Sequence, residues 1–237
     1  MDSFRYIIPG EEGFRGDRMD QLLAGGFYRM QHLMFTTNDT QIDEHGKSIP
    51  VFWLRTVLEN CTMNKAARNI LNKCSRFAVS IQTACVDDEI EALYTLYKNS
   101  VSFSVSASCK DYLHMDLLPN PFDAMMVQVR DNEQLIAVGF FDEGHDSIAG
   151  IMNIYHPSYQ RHSPGKFLIL QKLQYAINNR KSFYYTGYIS PESTRFDYKT
   201  FPDASAVEVL LPDQQQWVPF ASLGKELLAE YYATYLV

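Results

Sequence analysis

Tyr198 and Lys199 stand side by side and offer a phenol and a cation, a pair suited to an anionic group. They close a segment, residues 183–199, that starts as an aromatic run and passes Gly187-Tyr188 and a polar loop. It ends on Arg195-Phe196-Asp197-Tyr198-Lys199. Aromatic and β-branched residues ahead of a glycine read as a strand that ends at an open site. A second cationic cluster is Arg161-His162-Ser163-Pro164-Gly165-Lys166. Pro164 suits the first position of a helix with Ser163 as its cap. Backbone N–H groups at such a start attract phosphate, and Arg161 and Lys166 add charge. A third cluster, Lys65, Arg68 and Lys73, shares one face of a predicted helix, with Ala66, Ala67, Ile70 and Leu71 opposite. No acidic residue occurs between Glu59 and Asp87, so this face is either solvated surface or a phosphate-contacting patch.

The elements that must position these residues follow from pattern. A helix is predicted over 16–26, closing on Gly25-Gly26, then a strand over 27–35 and a loop over 38–50. Thr62 is the expected cap of a helix running to about Cys74. A strand over 77–82 comes next. A helix opens at Asp87 or Asp88, with Ile90, Leu93, Tyr94 and Tyr97 as its core face. Three strands are predicted at 125–130, 135–142 and 147–155. A helix to about Asn179 follows, with an apolar stripe of Phe167, Leu170, Leu173, Ala176 and Ile177. After it come strands over 183–188, 206–211 and 216–220 and a helix over 223–236. The order β-β-β-α-β is that of a GNAT-like acyltransferase core. The expected fold class is α+β with a mixed sheet, divided into a smaller N-terminal α/β domain over 1–85 and the GNAT-like domain over 86–237.

The 237 residues are 46% apolar and carry a net charge of −7, which argues against nucleic-acid binding through net charge alone. The cysteines Cys61, Cys74, Cys85 and Cys109 form no C-x-x-C pair, so neither a metal nor a redox motif is expected. The N-terminus lacks the basic and apolar regions of a secretory leader, and no apolar run nears the roughly 20 residues of a membrane span. These features read as a soluble, cytoplasmic protein with no membrane partner.

Several stretches, in order, resemble one family. Leu135-Ile136-Ala137-Val138-Gly139 followed by Asp142 looks like an L-I-A-V-G-x-x-D strand. Ile154-Tyr155-His156-Pro157-Ser158-Tyr159, running into Ser163-Pro164-Gly165, is similar to Y-Y-D-P-x-Y…S-L-G. Tyr184-Tyr185-Thr186-Gly187-Tyr188 and Arg195-Phe196-Asp197-Tyr198-Lys199 look like Y-Y-x-G-[YF]…K-M-x-Y-K. Trp217-Val218-Pro219 resembles a terminal W-V-P, and Leu22-Leu23 with Gly26-Phe27-Tyr28-Arg29 resembles L-L-x-x-G-[FW]-R-R. The chain thus resembles the aminoacyl-tRNA–protein transferases, the arginyl and leucyl enzymes of the N-degron pathway. It departs from them at four places. No cysteine cluster stands at residues 35–40, no Arg-His pair follows Tyr94 and Tyr97, Phe196 replaces Met, and His156 replaces Asp.

The resemblance implies transfer of Arg or Leu from the 3′ ester of an aminoacyl-tRNA, the co-substrate, to the α-amine of a protein or peptide with an acidic N-terminus. No cofactor or metal is implied. Tyr198, Lys199, Asp142 and Tyr155 become the candidate catalytic residues, with Tyr198 and Lys199 also placed to read the acidic acceptor. Gly187, Tyr188, Arg195, Gln128, Arg161, His162, Ser163, Gly165 and Lys166 become the candidate substrate-binding set. Arg29, Lys65 and Arg68 become candidate tRNA contacts. Two other readings fit the sequence: an acyl-CoA-dependent N-acyltransferase with pyrophosphate at residues 160–166, and a paralogue that binds without turnover.

Overall fold

A computed structural model describes residues 4–41, 47–103, 105–113 and 119–236. In chain order its elements are β1 (Arg5–Ile7), α1 (Gly16–Ala24), β2 (Tyr28–Met30), β3 (Leu33–Thr36), β4 (Asp39–Gln41), β5 (Ser48–Pro50), β6 (Phe52–Val57), α2 (Lys65–Cys74), β7 (Ala78–Thr83), α3 (Asp88–Lys98), α4 (Cys109–Leu113), β8 (Ala124–Asp131), β9 (Gln134–Glu143), β10 (Ser147–Tyr155), α5 (Pro164–Asn178), β11 (Phe183–Ile189), β12 (Val207–Leu211), β13 (Gln216–Pro219) and α6 (Phe220–Tyr235). Eight strands form one sheet in the order β13-β12-β6-β11-β10-β9-β8-β7. Its neighbours are antiparallel except β10 with β11, which are parallel. A parallel neighbour needs a crossover, and α5 supplies it. The fold class is α+β with a large mixed sheet, as expected.

Alternation along the strands sorts the core. Val127 and Val129 of β8 pack with Leu168 and Leu173 of α5, while Met126, the residue before Val127, packs with Ile90 and Leu93 of α3 on the other face. β6 lies in mid-sheet. Phe52 and Leu54 pack towards α6, and Trp53 packs towards α1 and β3. A strand buried on both faces reads as a continuous apolar run, so period-2 alternation does not reveal it. The expected boundary at residue 85 falls between β7 and α3, and the large sheet runs across it through β6 and β7.

Other local expectations change. The strand predicted over 27–35 is the hairpin β2–β3, which turns at Gln31 with φ 57°. The predicted loop over 38–50 contains the paired strands β4 and β5, and residues 42–46 lie outside the described residues. Asn64, not Thr62, caps α2: its side chain accepts from Ala67 N at 2.8 Å. Thr62 instead donates from its N–H (2.9 Å) and Oγ1 (2.6 Å) to Asp203. Asp87 caps α3 by accepting from Ile90 N at 2.9 Å. Ser163 stands at the N-cap of α5 in the left-handed region (φ 54°) and makes no side-chain cap. Ile177, expected in the buried stripe, is 38% exposed.

One ion pair is fully buried. Arg29 Nη1 of β2 donates to Asp142 Oδ1 of β9 at 2.7 Å, Nη2 donates to the Leu113 carbonyl at 2.6 Å, and the guanidinium stacks 4.3 Å from the Phe122 ring. Burial pushes the Asp142 carboxyl up, and Arg29 opposes it. Arg29→Met leaves that carboxyl without its cation and is expected to cost about 3–5 kcal/mol, read as a lower denaturant midpoint. Arg29→Met combined with Asp142→Leu should recover most of that loss; additive losses would rule out the pairing as its source.

Candidate active site

β10 and β11 pair at only three positions, Ser147 to Ala149 against Phe183 to Tyr185. Both strands then become irregular at the same level. β10 shifts register against β9 between Gly150 and Met152, and β11 shifts against β6 between Tyr185 and Gly187. Beyond that fork a cavity of about 1060 Å³ opens. That is at the large end for ligand pockets, and it gives room for two reactants. The Tyr28 hydroxyl sits in the fork against the carbonyls of Gly150 and Tyr185 (3.0 Å to the latter), which satisfies groups that sheet pairing has abandoned. Gly150 fits because a Cβ there would lie 2.7 Å from the Tyr184 hydroxyl.

Lys199 forms part of one wall. Its Nζ lies 4.3 Å from the Tyr188 ring centroid and 4.9 Å from that of Phe196, and among the described residues it has no hydrogen-bond or ion-pair partner. Gly187 makes room for it. A Cβ at Gly187, whose φ is +100°, would come within 2.8 Å of Nζ. Burial, aided by Arg195, lowers Lys199 to about 7. Its surface is only partly covered, yet the ammonium lies among aromatic rings at the end of the cleft, so desolvation dominates. Tyr198 beside it is 48% exposed and faces the cleft mouth. The short turn that carries both is tied down from behind: Lys225 of α6 forms an ion pair with Asp197 and donates to the Ser193 carbonyl at 2.8 Å.

The opposite side holds Tyr155, Ser163, Gly165 and Lys166. The Ser163 side chain makes no cap on α5, its carbonyl accepts from Phe167 N at 3.0 Å, and Tyr155 packs edge-on against Tyr97 at 5.2 Å. At the floor lies Lys172 of α5, 1% exposed. It donates to the Phe140 carbonyl (2.7 Å), Asn153 Oδ1 (2.8 Å) and the Met152 carbonyl (3.5 Å), and burial lowers its pKa to about 7 against the opposing effect of Asp142. The described lining carries Arg29, Lys166, Lys172, Arg195 and Lys199 and neither Asp nor Glu, although the chain as a whole is acidic. Such a cleft takes an anion and an apolar or aromatic body. Among the described residues, no cluster of metal-ligating side chains occurs, and no helix is long and apolar enough to cross a membrane.

The model of the family described as "Arginine-tRNA-protein transferase, C terminus" matches residues 89–206, which hold α3, α5 and both walls of the cleft. The chain belongs to the aminoacyl-tRNA–protein transferase family. An aspartate/glutamate leucyltransferase of Leptospira interrogans is 21% identical over 69% of this chain and 66% of that protein. The chain therefore spans a little under two thirds of that relative. A similar enzyme of Thiobacillus denitrificans is 23% identical over 75% of this chain and 72% of its own length. Arginyl-tRNA–protein transferase 1 of Arabidopsis thaliana is 31% identical over 43% of this chain and 17% of its own. Among solved structures, L-PGS from Bacillus licheniformis is similar over 65% of this chain and 52% of that one, at 11% identity and a TM-score of 0.43.

Of the residues singled out by resemblance to this family, the cleft brings together Tyr155, Ser163, Gly165, Lys166, Gly187, Tyr188, Arg195, Tyr198 and Lys199. Asp142 does not join them, because its carboxylate is buried on Arg29. Arg29 reaches the lining, but its guanidinium is committed to that pair and is not a surface contact for tRNA. Gln128 is buried on β8 with Nε2 on Met126 Sδ at 3.8 Å. His162 is buried edge-on to Phe77 at 5.3 Å, and burial lowers its pKa. Arg161 is exposed outside the cleft, with Nε against His162 Nε2 at 3.3 Å. Lys65 and Arg68 are exposed on α2, also outside. Sequence reasoning missed the side chains of Lys172 and Asn153. For Lys172 a signal existed: a lysine three residues after Ile169 and four before Ala176, inside the apolar stripe of α5.

Competitive acylation with a small amine-reactive anhydride, which acylates only the neutral lysine and releases carboxylate, tests the electrostatics of the wall. Lys199 should show half-maximal reactivity near pH 7, where ordinary lysines, with a pKa of about 10.4, stay protonated. An ordinary profile for Lys199 would contradict the desolvated site.

Proposed function

We propose that this chain transfers Leu or Arg from an aminoacyl-tRNA to the α-amine of a protein or peptide with an acidic N-terminus. The observation that carries the reading is the cleft at the β10–β11 fork, basic and free of acids among its described residues, in a chain of this family. The run β8-β9-β10-α5-β11, with its single parallel pair and its fork, supports a GNAT-like core.

The reaction asks little of general bases. An α-amine has a pKa of about 7.7–8.0, so a useful fraction is neutral near pH 7. Its nitrogen adds to the ester carbonyl, the carbon–O3′ bond breaks, the amine gives up a proton and the 3′ oxygen gains one. The site must hold the two reactants in contact and stabilise the oxyanion. Lys199, without a carboxylate of its own, suits the side-chain carboxylate of the acceptor. Lys166 and the open start of α5 suit the 3′ phosphate of the donor. The exposed cations Lys65, Arg68 and Arg161 extend positive charge over α2 and the turn before α5, a surface for the acceptor arm. The chain then works where charged tRNA is found, in the cytoplasm.

Labelled Leu or Arg on tRNA, offered with a peptide of N-terminal Asp or Glu, should give labelled peptide. Folded protein that yields none with either donor overturns the reading, and acylation from acyl-CoA instead would replace it. Lys199→Met should raise KM for the acidic acceptor by about 10- to 100-fold, the worth of one charge-assisted hydrogen bond, and leave charged-tRNA binding little changed. Equal loss for both reactants would remove that role. The empty site's pKa near 7 fixes the pH trend. A bound carboxylate raises it, so acceptor affinity is full below pH 7 and falls as pH rises above 7, whereas Lys199→Met should be flat.

A further inference from the structure

Asn153 and Lys172 form a unit at the floor of the cleft that no assigned role explains. Asn153 stands on β10 in register with Gly139 on β9, just past the irregularity that opens the fork. Its Oδ1 accepts from Lys172 Nζ at 2.8 Å, and its Nδ2 has no protein partner among the described residues, although the residue lines the cleft. An ammonium has only donors, so it can face the oxygen of an amide and never the nitrogen. The lysine therefore fixes which way the amide points. The space for this contact is built into the sheet. A Cβ at Gly139 would lie 2.8 Å from Asn153 Oδ1 and 2.9 Å from Lys172 Cε, so a glycine in mid-strand leaves room for both. The same ammonium holds the Phe140 carbonyl at 2.7 Å, which ties the floor to β9.

We propose that Asn153 donates its side-chain amide to the aminoacyl carbonyl oxygen as that oxygen gains charge, and that Lys172 is the positioning residue that turns the amide into the cleft. This rests on the transfer reaction proposed above. As the amine nitrogen bonds to the carbonyl carbon, negative charge gathers on the carbonyl oxygen, and it returns when the carbon–O3′ bond breaks. A donor already aimed at that oxygen pays no reorientation during the reaction.

Three variants in the transfer assay test the pairing. Asn153→Ala and Lys172→Met should each lower kcat about 10²- to 10³-fold, the range for loss of one oxyanion donor, with KM for charged tRNA little changed. The double variant should be no worse than Asn153→Ala alone, because Lys172 acts only through the amide. Losses that multiply would make Lys172 a separate support of the fold, and an active Asn153→Ala would overturn the proposal. The Asn153 side-chain amide signals in a 1H–15N spectrum decide the orienting role without turnover. They should move between wild type and Lys172→Met in a protein that keeps its remaining spectrum, and signals unmoved would refute that role. A wild-type protein without transfer activity would instead overturn the transferase reading and the carbonyl role with it, while the spectrum still reports on the pairing.

Discussion

The fork between β10 and β11 depends on one contact, the Tyr28 hydroxyl against the carbonyls of Gly150 and Tyr185. Two parallel strands that stop pairing in mid-sheet strand their polar groups, and a buried unpaired carbonyl costs about as much as a lost hydrogen bond. A phenol brought from β2 takes the place of the missing strand-to-strand bonds. The β2 segment is itself held by the neighbouring Arg29 on Asp142, so the N-terminal hairpin acts on the eight-stranded sheet as a wedge with its own anchor. This explains why a residue of the sequence stretch Gly26-Phe27-Tyr28-Arg29 matters to a cavity whose other walls lie far along the chain.

Charge in the cleft is organised by the same opening. The two lysines at its floor and wall are handled in opposite ways. Lys172 is surrounded by acceptors on β9 and β10, the Asn153 amide among them, so its ammonium is already committed within the protein. Lys199 has only ring faces, which stabilise a cation more weakly than a carboxylate does, so its charge is left for a ligand to settle. Two residues of the same type, both lowered to about 7, therefore serve different ends.

Much of this was legible in the sequence where the physics is local. The strands β8 to β10, the proline-initiated α5 and the glycine at 187 follow from alternation, capping and backbone freedom. The residues that gather in the cleft from residues 155–166 and 187–199 share that advantage, since each set sits where an element ends. What escaped depends on contacts between distant segments. β6 has no alternation because helices cover both its faces, so its place in the sheet could not be read from period. Asp142 and Arg29 both looked functional as charged residues within family motifs; they lie 113 positions apart and neutralise each other in the interior. His162 and Gln128 are buried for the same kind of reason, by Phe77 and by the sheet. Lys172 was visible as a charge in an apolar stripe, but its partners, two backbone carbonyls and the Asn153 amide, lie on other elements, and sequence does not display that contact.

The ion pair between Asp197 and Lys225 links the cleft to a helix that contributes no residue to its described lining. The turn bearing Tyr198 and Lys199 would otherwise pay its own ordering entropy each time a ligand arrived. With α6 seated on β12, that cost is met when the chain folds. Anything that lifts α6, whether a truncation, a fusion or a bound partner, would reach the cleft as a loss of order in one wall, with no cleft residue touched.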